Sequence, residues 1–174
     1  NELIVEQASN GVFTILLNNP RYKNALSENL TPFLRQELKK IKSNKKCKCL
    51  VLRGVGDSFC SGGNVKRMDL GKSSKKETIS SKIKNLEKKQ QELTGLIYSL
   101  PIPTIAIITG AAAGAGFSLA LSCDIRIGNS NAFFISNYSR IGLSGDYGIS
   151  WFLTRTLGPA KAKEIMFLNK RIYA

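Results

Sequence analysis

Apolar and polar positions along the chain follow two periods, one of two residues and one of three to four. Leu3 to Gln7 and Val12 to Leu17 alternate, or run apolar, as strands do, and Ser9-Asn10-Gly11 between them is a hairpin turn signal. Asn18-Asn19-Pro20 breaks the second strand. Ser27 is placed to cap a helix running to about Lys42, with Leu30, Phe33, Leu34, Leu38 and Ile41 on one face. Pro32 falls just inside that helix and leaves its first turn open. Cys49 to Leu52 reads as a third, buried strand. Glu77 to Leu100 carries Ile79, Ile83, Leu86, Leu93, Ile97 and Leu100 at helical spacing, and Pro101 and Pro103 stop it. Thr104 to Thr109 is a fourth strand, and Gly114 to Ser122, small and apolar all round, fits a central buried helix. Ile125 to Gly128 and Ala132 to Ile135 are short strands. Tyr147 to Leu157 and Ala160 to Leu168 read as two helices parted by Gly158-Pro159, and Lys72 to Lys75 as a mobile polar loop. Strands precede helices in repeated sets, which predicts a layered α/β fold.

Length changes this picture little: 174 residues suffice for one domain with a real core. Hydrophobic residues make up 43% of the chain, in no run long enough to span a bilayer. The chain opens without a basic segment followed by an apolar stretch, so no signal peptide is expected and the cytoplasm, or an organelle matrix, is the expected compartment. The formal charge of +14 is concentrated in Lys39 to Lys48 and Lys66 to Lys89. It leaves open a solvated basic surface, a polyanionic small molecule, or nucleic acid. Neither stretch interleaves aromatics with its lysines and neither carries a groove-reading motif, which counts against nucleic acid as a partner.

Histidine is absent from the sequence, which excludes Ser-His and Cys-His nucleophile pairs and every His-containing metal site. Cys47, Cys49, Cys60 and Cys123 lack the paired spacing of a four-cysteine zinc site, and read as small buried hydrophobes in a reducing compartment. No metal and no cofactor is expected.

Two glycine-bearing segments carry the candidate chemistry: Phe59-Cys60-Ser61-Gly62-Gly63-Asn64-Val65 and Gly110-Ala111-Ala112-Ala113-Gly114-Ala115-Gly116-Phe117. Each follows an apolar run, and each puts small residues where a backbone must come close to something. With Asn19-Pro20, Asn24-Ala25-Leu26-Ser27, Pro103-Thr104-Ile105-Ala106, Cys123-Asp124-Ile125-Arg126, Ile141 to Gly148, Leu157-Gly158 and Ala160-Lys161-Ala162, they give the chain a resemblance to the crotonase superfamily, the enoyl-CoA hydratase/isomerase family. The resemblance covers essentially all of residues 1–174. It implies a single core domain, a spiral of ββα units, followed in the family by a helical region that this chain stops short of. It also implies an acyl-CoA substrate and assembly as a homotrimer or hexamer.

The family's shared step makes an enolate from an acyl-CoA thioester, and preset backbone N–H groups stabilise its oxygen. By motif position the resemblance places these two donors on Gly63 and Ala115, with Ala115 at the start of a helix whose free amides favour an anion. An ordinary turn at Gly62-Gly63 and close helix packing at Gly114 explain the same glycines, and are compatible with the function. The family's two hydratase glutamates fall on Ser118 and Tyr138, neither of which is a carboxylate base. Both remain hydrogen-bond donors for the pocket, and Tyr138 also fits plain packing. The best remaining carboxylate is Asp146, at a position where some family isomerases carry a catalytic aspartate. It equally fits the N-cap of the helix expected from Tyr147. A single carboxylate suits double-bond migration better than hydration. Hydration with an altered water-positioning set, or thioester binding without turnover, remain the alternatives. Arg21, Lys23, Lys66 and Arg67 are candidate phosphate partners of coenzyme A, and the adenine is expected near Ser61 to Val65, that is Ser61, Gly62, Gly63, Asn64 and Val65. Ala25 and Gly114 complete the expected binding set. Asp124 reads as structural.

Overall fold

In the computed structural model, which describes residues 1–63 and 78–174, the chain steps alternately between two sheets. β1 (Leu3–Gln7) and β2 (Val12–Leu17) form the expected hairpin, with Glu6 opposite Thr14. β3 (Cys49–Gly54), β5 (Thr104–Ile108) and β7 (Ile125–Gly128) extend it in parallel, giving the order β1-β2-β3-β5-β7. The second sheet has the order β4-β6-β8-β9, from β4 (Ser58–Cys60), β6 (Ala111–Ala113), β8 (Phe133–Ile135) and β9 (Ile172–Tyr173). β4, β6 and β8 run parallel, and β9 returns antiparallel.

The helices close each turn. α1 is Leu30–Ser43, α2 is Ile79–Gln90, and α2 runs on through a π-helical turn, Gln91–Gly95, into α3, Leu96–Tyr98. α4 is Ala115–Leu121 and α5 is Ile149–Leu168. Thus β3-β4-α2, β5-β6-α4 and β7-β8-α5 each lay one strand in each sheet before a helix follows. This is the spiral of ββα units that the resemblance implied. Asp124 ties its turns together: its carboxylate accepts from the N–H of Thr104 at 2.8 Å and from the Thr104 hydroxyl at 2.7 Å, joining the starts of β5 and β7.

The core lies between the first sheet and its helices. Phe13, Ile15 and Leu17 of β2 and Leu50 and Leu52 of β3 point inward, at the period of two that the sequence shows. Leu30, Leu34, Leu38 and Ile41 of α1 meet them. The N-cap of α1 is Asn29 rather than Ser27, but the Ser27 hydroxyl still accepts from the N–H of Leu30 at 2.9 Å. Cys47, Cys60 and Cys123 are buried and Cys49 half-buried, all four as free thiols. Burial pushes the Cys60 and Cys123 thiols up to about 12.

Several expectations are corrected. Phe33 does not join the buried face of α1; it is 57% exposed. At about 100° per residue it sits roughly 100° from the centre of the Leu30–Leu34–Leu38 stripe. The apolar stripe of the long helix splits: Ile79, Ile83 and Leu86 are exposed, whereas Leu93, Leu96 and Ile97 are buried. Three short strands were not expected, β4, β6 and β9, because three alanines or a Ser-Phe-Cys triplet carry no strand signal of their own. The last long helix begins at Ile149 rather than Tyr147, since Tyr147 and Gly148 both take left-handed φ, 50° and 78°. The break at Gly158-Pro159 is present, with Gly158 at φ 79° and ψ 163°. Asn64, Val65, Lys66, Arg67, Glu77 and the Lys72 to Lys75 loop lie outside the described residues.

Candidate active site

The two glycine-bearing segments meet. Gly62 has φ +95°, and a Cβ built there would stand 2.7 Å from the Ala113 carbonyl oxygen and 3.4 Å from the Ala115 nitrogen. Gly116 is the tighter contact: its Cβ would fall 2.2 Å from the Cys60 carbonyl oxygen, so only glycine lets α4 lie against β4. The first segment is held on its other side by the loop after β2. The N–H of Ser61 donates to the Lys23 carbonyl at 2.9 Å, the Ser61 hydroxyl to the Tyr22 carbonyl at 3.2 Å, and the N–H of Leu26 to the Gly62 carbonyl at 2.8 Å. Asn24, fully buried, anchors that loop by donating to the carbonyls of Val55 at 3.0 Å and Ser58 at 2.8 Å. Arg21 and Lys23 stand exposed on it, beside Ser61, and Ala25 is buried beneath.

At the junction lies a cavity of about 60 Å³ among the described residues, lined by Ser61, Gly62, Gly63, Gly114, Ala115 and, opposite them, Tyr138 and Asp146. Among the described residues, neither the N–H of Gly63 nor that of Ala115 donates a hydrogen bond to the protein. Two residues with unused amide donors and one with a carboxylate therefore line one small space.

Asp146 does not cap α5 with its side chain. The N-cap is Gly148, and only the Asp146 carbonyl reaches the helix, accepting from the N–H of Ile149 at 3.2 Å. The carboxylate instead accepts a 2.6 Å hydrogen bond at Oδ1 from the Tyr138 hydroxyl. Burial raises the Asp146 carboxyl above the ordinary carboxylate range, and the Tyr138 hydrogen bond opposes part of that rise. Burial, then the adjacent carboxylate, push the Tyr138 phenol far up, so it stays a donor. Plain packing is thus not the whole of what Tyr138 does. Ser118 is fully buried and outside the cavity lining; its hydroxyl donates to the Asp146 carbonyl at 3.2 Å, supporting the loop from below.

The loop that carries Asp146 is unusual in its backbone. Gly142, Gly145, Tyr147 and Gly148 all have φ between +50° and +109°. A tyrosine at such a position costs about 1–2 kcal/mol relative to glycine. Ser136, Asn137, Ile141 and Leu143 also line the cavity. None of them stood out in the sequence, although Ile141 and Leu143 belong to a segment that carries the resemblance. Ser136 donates to Asn169 Oδ1 at 2.5 Å, which fixes the strand end preceding Tyr138 against the close of α5.

Among the described residues no group of three His, Cys, Asp or Glu side chains is placed to hold a metal ion, and no helix is long and apolar enough to cross a membrane.

The family model described as enoyl-CoA hydratase/isomerase matches residues 7–174. The chain is 31% identical over 173 residues to the 1,2-epoxyphenylacetyl-CoA isomerase of Escherichia coli (strain K12), covering 99% of this chain and 65% of that protein. It is 34% identical over 164 residues to the mitochondrial methylglutaconyl-CoA hydratase of Mus musculus, covering 94% of this chain and 50% of that protein. Among solved structures, an enoyl-CoA hydratase from Bacillus anthracis superposes with a TM-score of 0.88 at 27% identity, over 100% of this chain and 65% of that one. An enoyl-CoA hydratase from Polaromonas sp. JS666 does so with a TM-score of 0.84 at 35% identity, over 99% and 65%. The chain therefore belongs to the enoyl-CoA hydratase/isomerase family. It spans between 50% and 65% of the length of these relatives.

Proposed function

We propose that the chain binds an acyl-CoA thioester and moves its double bond by proton transfer through Asp146. The observation that supports this is the cavity itself: Asp146 lines it together with Gly63 and Ala115, and its carboxylate is held by Tyr138 instead of by a helix terminus. The thioester oxygen of a 3-enoyl-CoA sits between the two N–H groups. Asp146, as carboxylate, removes a proton from C2. The electrons of that C–H bond form the C1–C2 double bond of a dienolate, whose oxygen bears the charge the amides stabilise. Asp146, now the acid, returns the proton at C4, leaving the 2-enoyl-CoA. One carboxylate suffices, since the proton that leaves is the proton that returns. Arg21 and Lys23, beside Ser61, are placed to meet the phosphates of coenzyme A.

Hydration is the second reading, favoured by the hydratase among the similar proteins. It needs a group besides Asp146 to hold a water, and Asp146 is the one carboxylate among the described residues lining the cavity.

The test is to incubate the protein with a short 2-enoyl-CoA and a 3-enoyl-CoA and to separate the products by chromatography with mass detection. Interconversion at constant mass is expected. A product one water heavier establishes hydration in its place. No change with either substrate, together with measurable binding of the acyl-CoA, leaves a thioester-binding protein.

A further inference from the structure

Tyr147 is the odd residue of its loop. Three of the four positions between 142 and 148 with left-handed φ are glycine, and the fourth, between Asp146 and Gly148, is a half-buried tyrosine at φ 50°. Its conformation is held from two directions. The Thr94 hydroxyl donates to the Tyr147 carbonyl at 3.0 Å. The Arg35 guanidinium, on α1, donates from Nη2 to the Tyr147 hydroxyl at 3.2 Å and from Nε to the Lys89 carbonyl at 3.1 Å. Thr94 is buried and belongs to the π-helical turn Gln91–Gly95. Such a turn, wider than an α-helix, re-aims the side chains it carries and recurs at functional sites. The same face is braced by the ion pair of Lys39 with Glu92, at 2.8 Å.

Resting on the reading of Asp146 as the proton-transfer group, we infer that Thr94 and Arg35 are positioning residues for it: by holding Tyr147 left-handed, they aim the Asp146 carboxylate at Tyr138 and the cavity. Neither touches the cavity. Both reach Asp146 through Tyr147, Thr94 by its carbonyl in the 147–148 peptide and Arg35 by its ring hydroxyl. Ser118 fixes the preceding carbonyl, that of Asp146, so the two peptides flanking Tyr147 are pinned by α4 on one side and by the π-turn on the other, and α1 holds the ring. A proton-transfer group displaced by an ångström loses on the order of 100-fold in rate, so the clamp acts on turnover more than on binding.

Titratable groups facing Asp146 among the described residues are Tyr138, after β8, and Tyr147; Arg35 reaches it only by way of the Tyr147 hydroxyl, and Cys60 of β4 faces Tyr147. The deciding measurement needs no substrate. In protein labelled with carboxyl-13C aspartate, the Asp146 resonance is identified by its loss in Asp146→Asn and titrated in the wild type, Thr94→Val, Arg35→Met and Tyr147→Phe. If the clamp positions Asp146, opening it lets water reach the carboxylate, and the midpoint falls toward the ordinary value in Thr94→Val and Arg35→Met. Thr94→Ser, which keeps the hydroxyl, retains the wild-type midpoint. Arg35→Met separates two roles, since mere loss of a nearby positive charge would raise the midpoint. A wild-type midpoint in both Thr94→Val and Arg35→Met, or a rise in Arg35→Met, overturns the inference. Should Thr94→Val fail to fold, Arg35→Met and Tyr147→Phe decide alone. With a short 3-enoyl-CoA, kcat is expected to drop about 10- to 100-fold at a KM within about twofold. A moved midpoint in a protein that turns over neither enoyl-CoA sinks the isomerase reading and leaves the clamp standing.

Discussion

The cavity has two walls made by different means. One is backbone, the Gly62-Gly63 and Gly114-Ala115 segments, brought together where Gly62 and Gly116 leave no room for a Cβ. The other is side chains, Tyr138 and Asp146, hydrogen-bonded to each other at 2.6 Å on a loop of left-handed residues. The backbone wall follows directly on β4 and β6 and leads into α4, and a Cβ at Gly62 or Gly116 would collide with its neighbours. The side-chain wall keeps its geometry through hydrogen bonds from α1, α4 and the π-helical turn, each of which a single substitution can remove. In the proposed reaction the two walls divide the work: the amides receive charge, and the carboxylate moves the proton.

Removing the carboxylate is the severest test of that division. Asp146→Asn should lower turnover by about 10²–10⁴-fold, while acyl-CoA affinity, measured by calorimetry, stays within about twofold. Its effect on stability has a definite sign. Burial raises the folded-state carboxyl above its unfolded value, so the folded protein binds the proton more tightly, and stability falls as pH rises from the ordinary carboxylate value through the raised one. Above that window the variant should therefore melt no lower than the wild type. A large loss of Tm at neutral pH would show Asp146 to be structural.

Gly63→Pro attacks the other wall by deleting an amide donor. Its expected cost is about 10²–10³-fold in kcat, with the pH profile unshifted because Asp146 is untouched. An unchanged kcat would remove Gly63 from the chemistry.

Gly116→Ala tests the rigidity of the backbone wall. A methyl 2.2 Å from the Cys60 carbonyl oxygen forces α4 away from β4. A loss of about 1–3 kcal/mol in urea denaturation is expected, with activity falling alongside. Full stability would mean that α4 shifts freely and that the wall is soft.

Tyr138→Phe gives the smallest change and the finest distinction. It removes the hydrogen bond that opposes the effect of burial on the Asp146 carboxyl, so the Asp146 midpoint rises. Since the base form is required, the acid limb of the kcat/KM profile moves to higher pH, and the rate above that limb changes only a few-fold. An acid limb that stays in place would mean that Tyr138 merely packs.

Much of the scaffold could be read from the chain. The period of two in β2 and β3 and the stripe Leu30-Leu34-Leu38-Ile41 in α1 are local patterns whose inward faces need no knowledge of a partner. Phe33 escaped because a helix face is defined by what packs on it, and Phe33 stays 57% exposed. Ala111–Ala113 was illegible for a related reason: its strand exists only through pairing with β4 and β8.

For the site the boundary falls between its two walls. The glycines at 62, 114 and 116 announce themselves, because a backbone that must approach another backbone, or turn to positive φ, leaves a residue with no side chain in the sequence itself. Asp146 could be named as a candidate, yet base and helix cap were equally open to it, since both ask for a carboxylate ahead of a helix. Tertiary structure removed the cap: Tyr147 and Gly148 take left-handed φ, Gly148 is the N-cap, and the Asp146 carboxylate bonds Tyr138. Thr94 and Arg35 lie 53 and 112 residues from Tyr147, the residue they hold, and no local pattern relates positions so far apart. Conformational needs of the backbone are written residue by residue, whereas the partner of a side chain is decided only when distant elements pack.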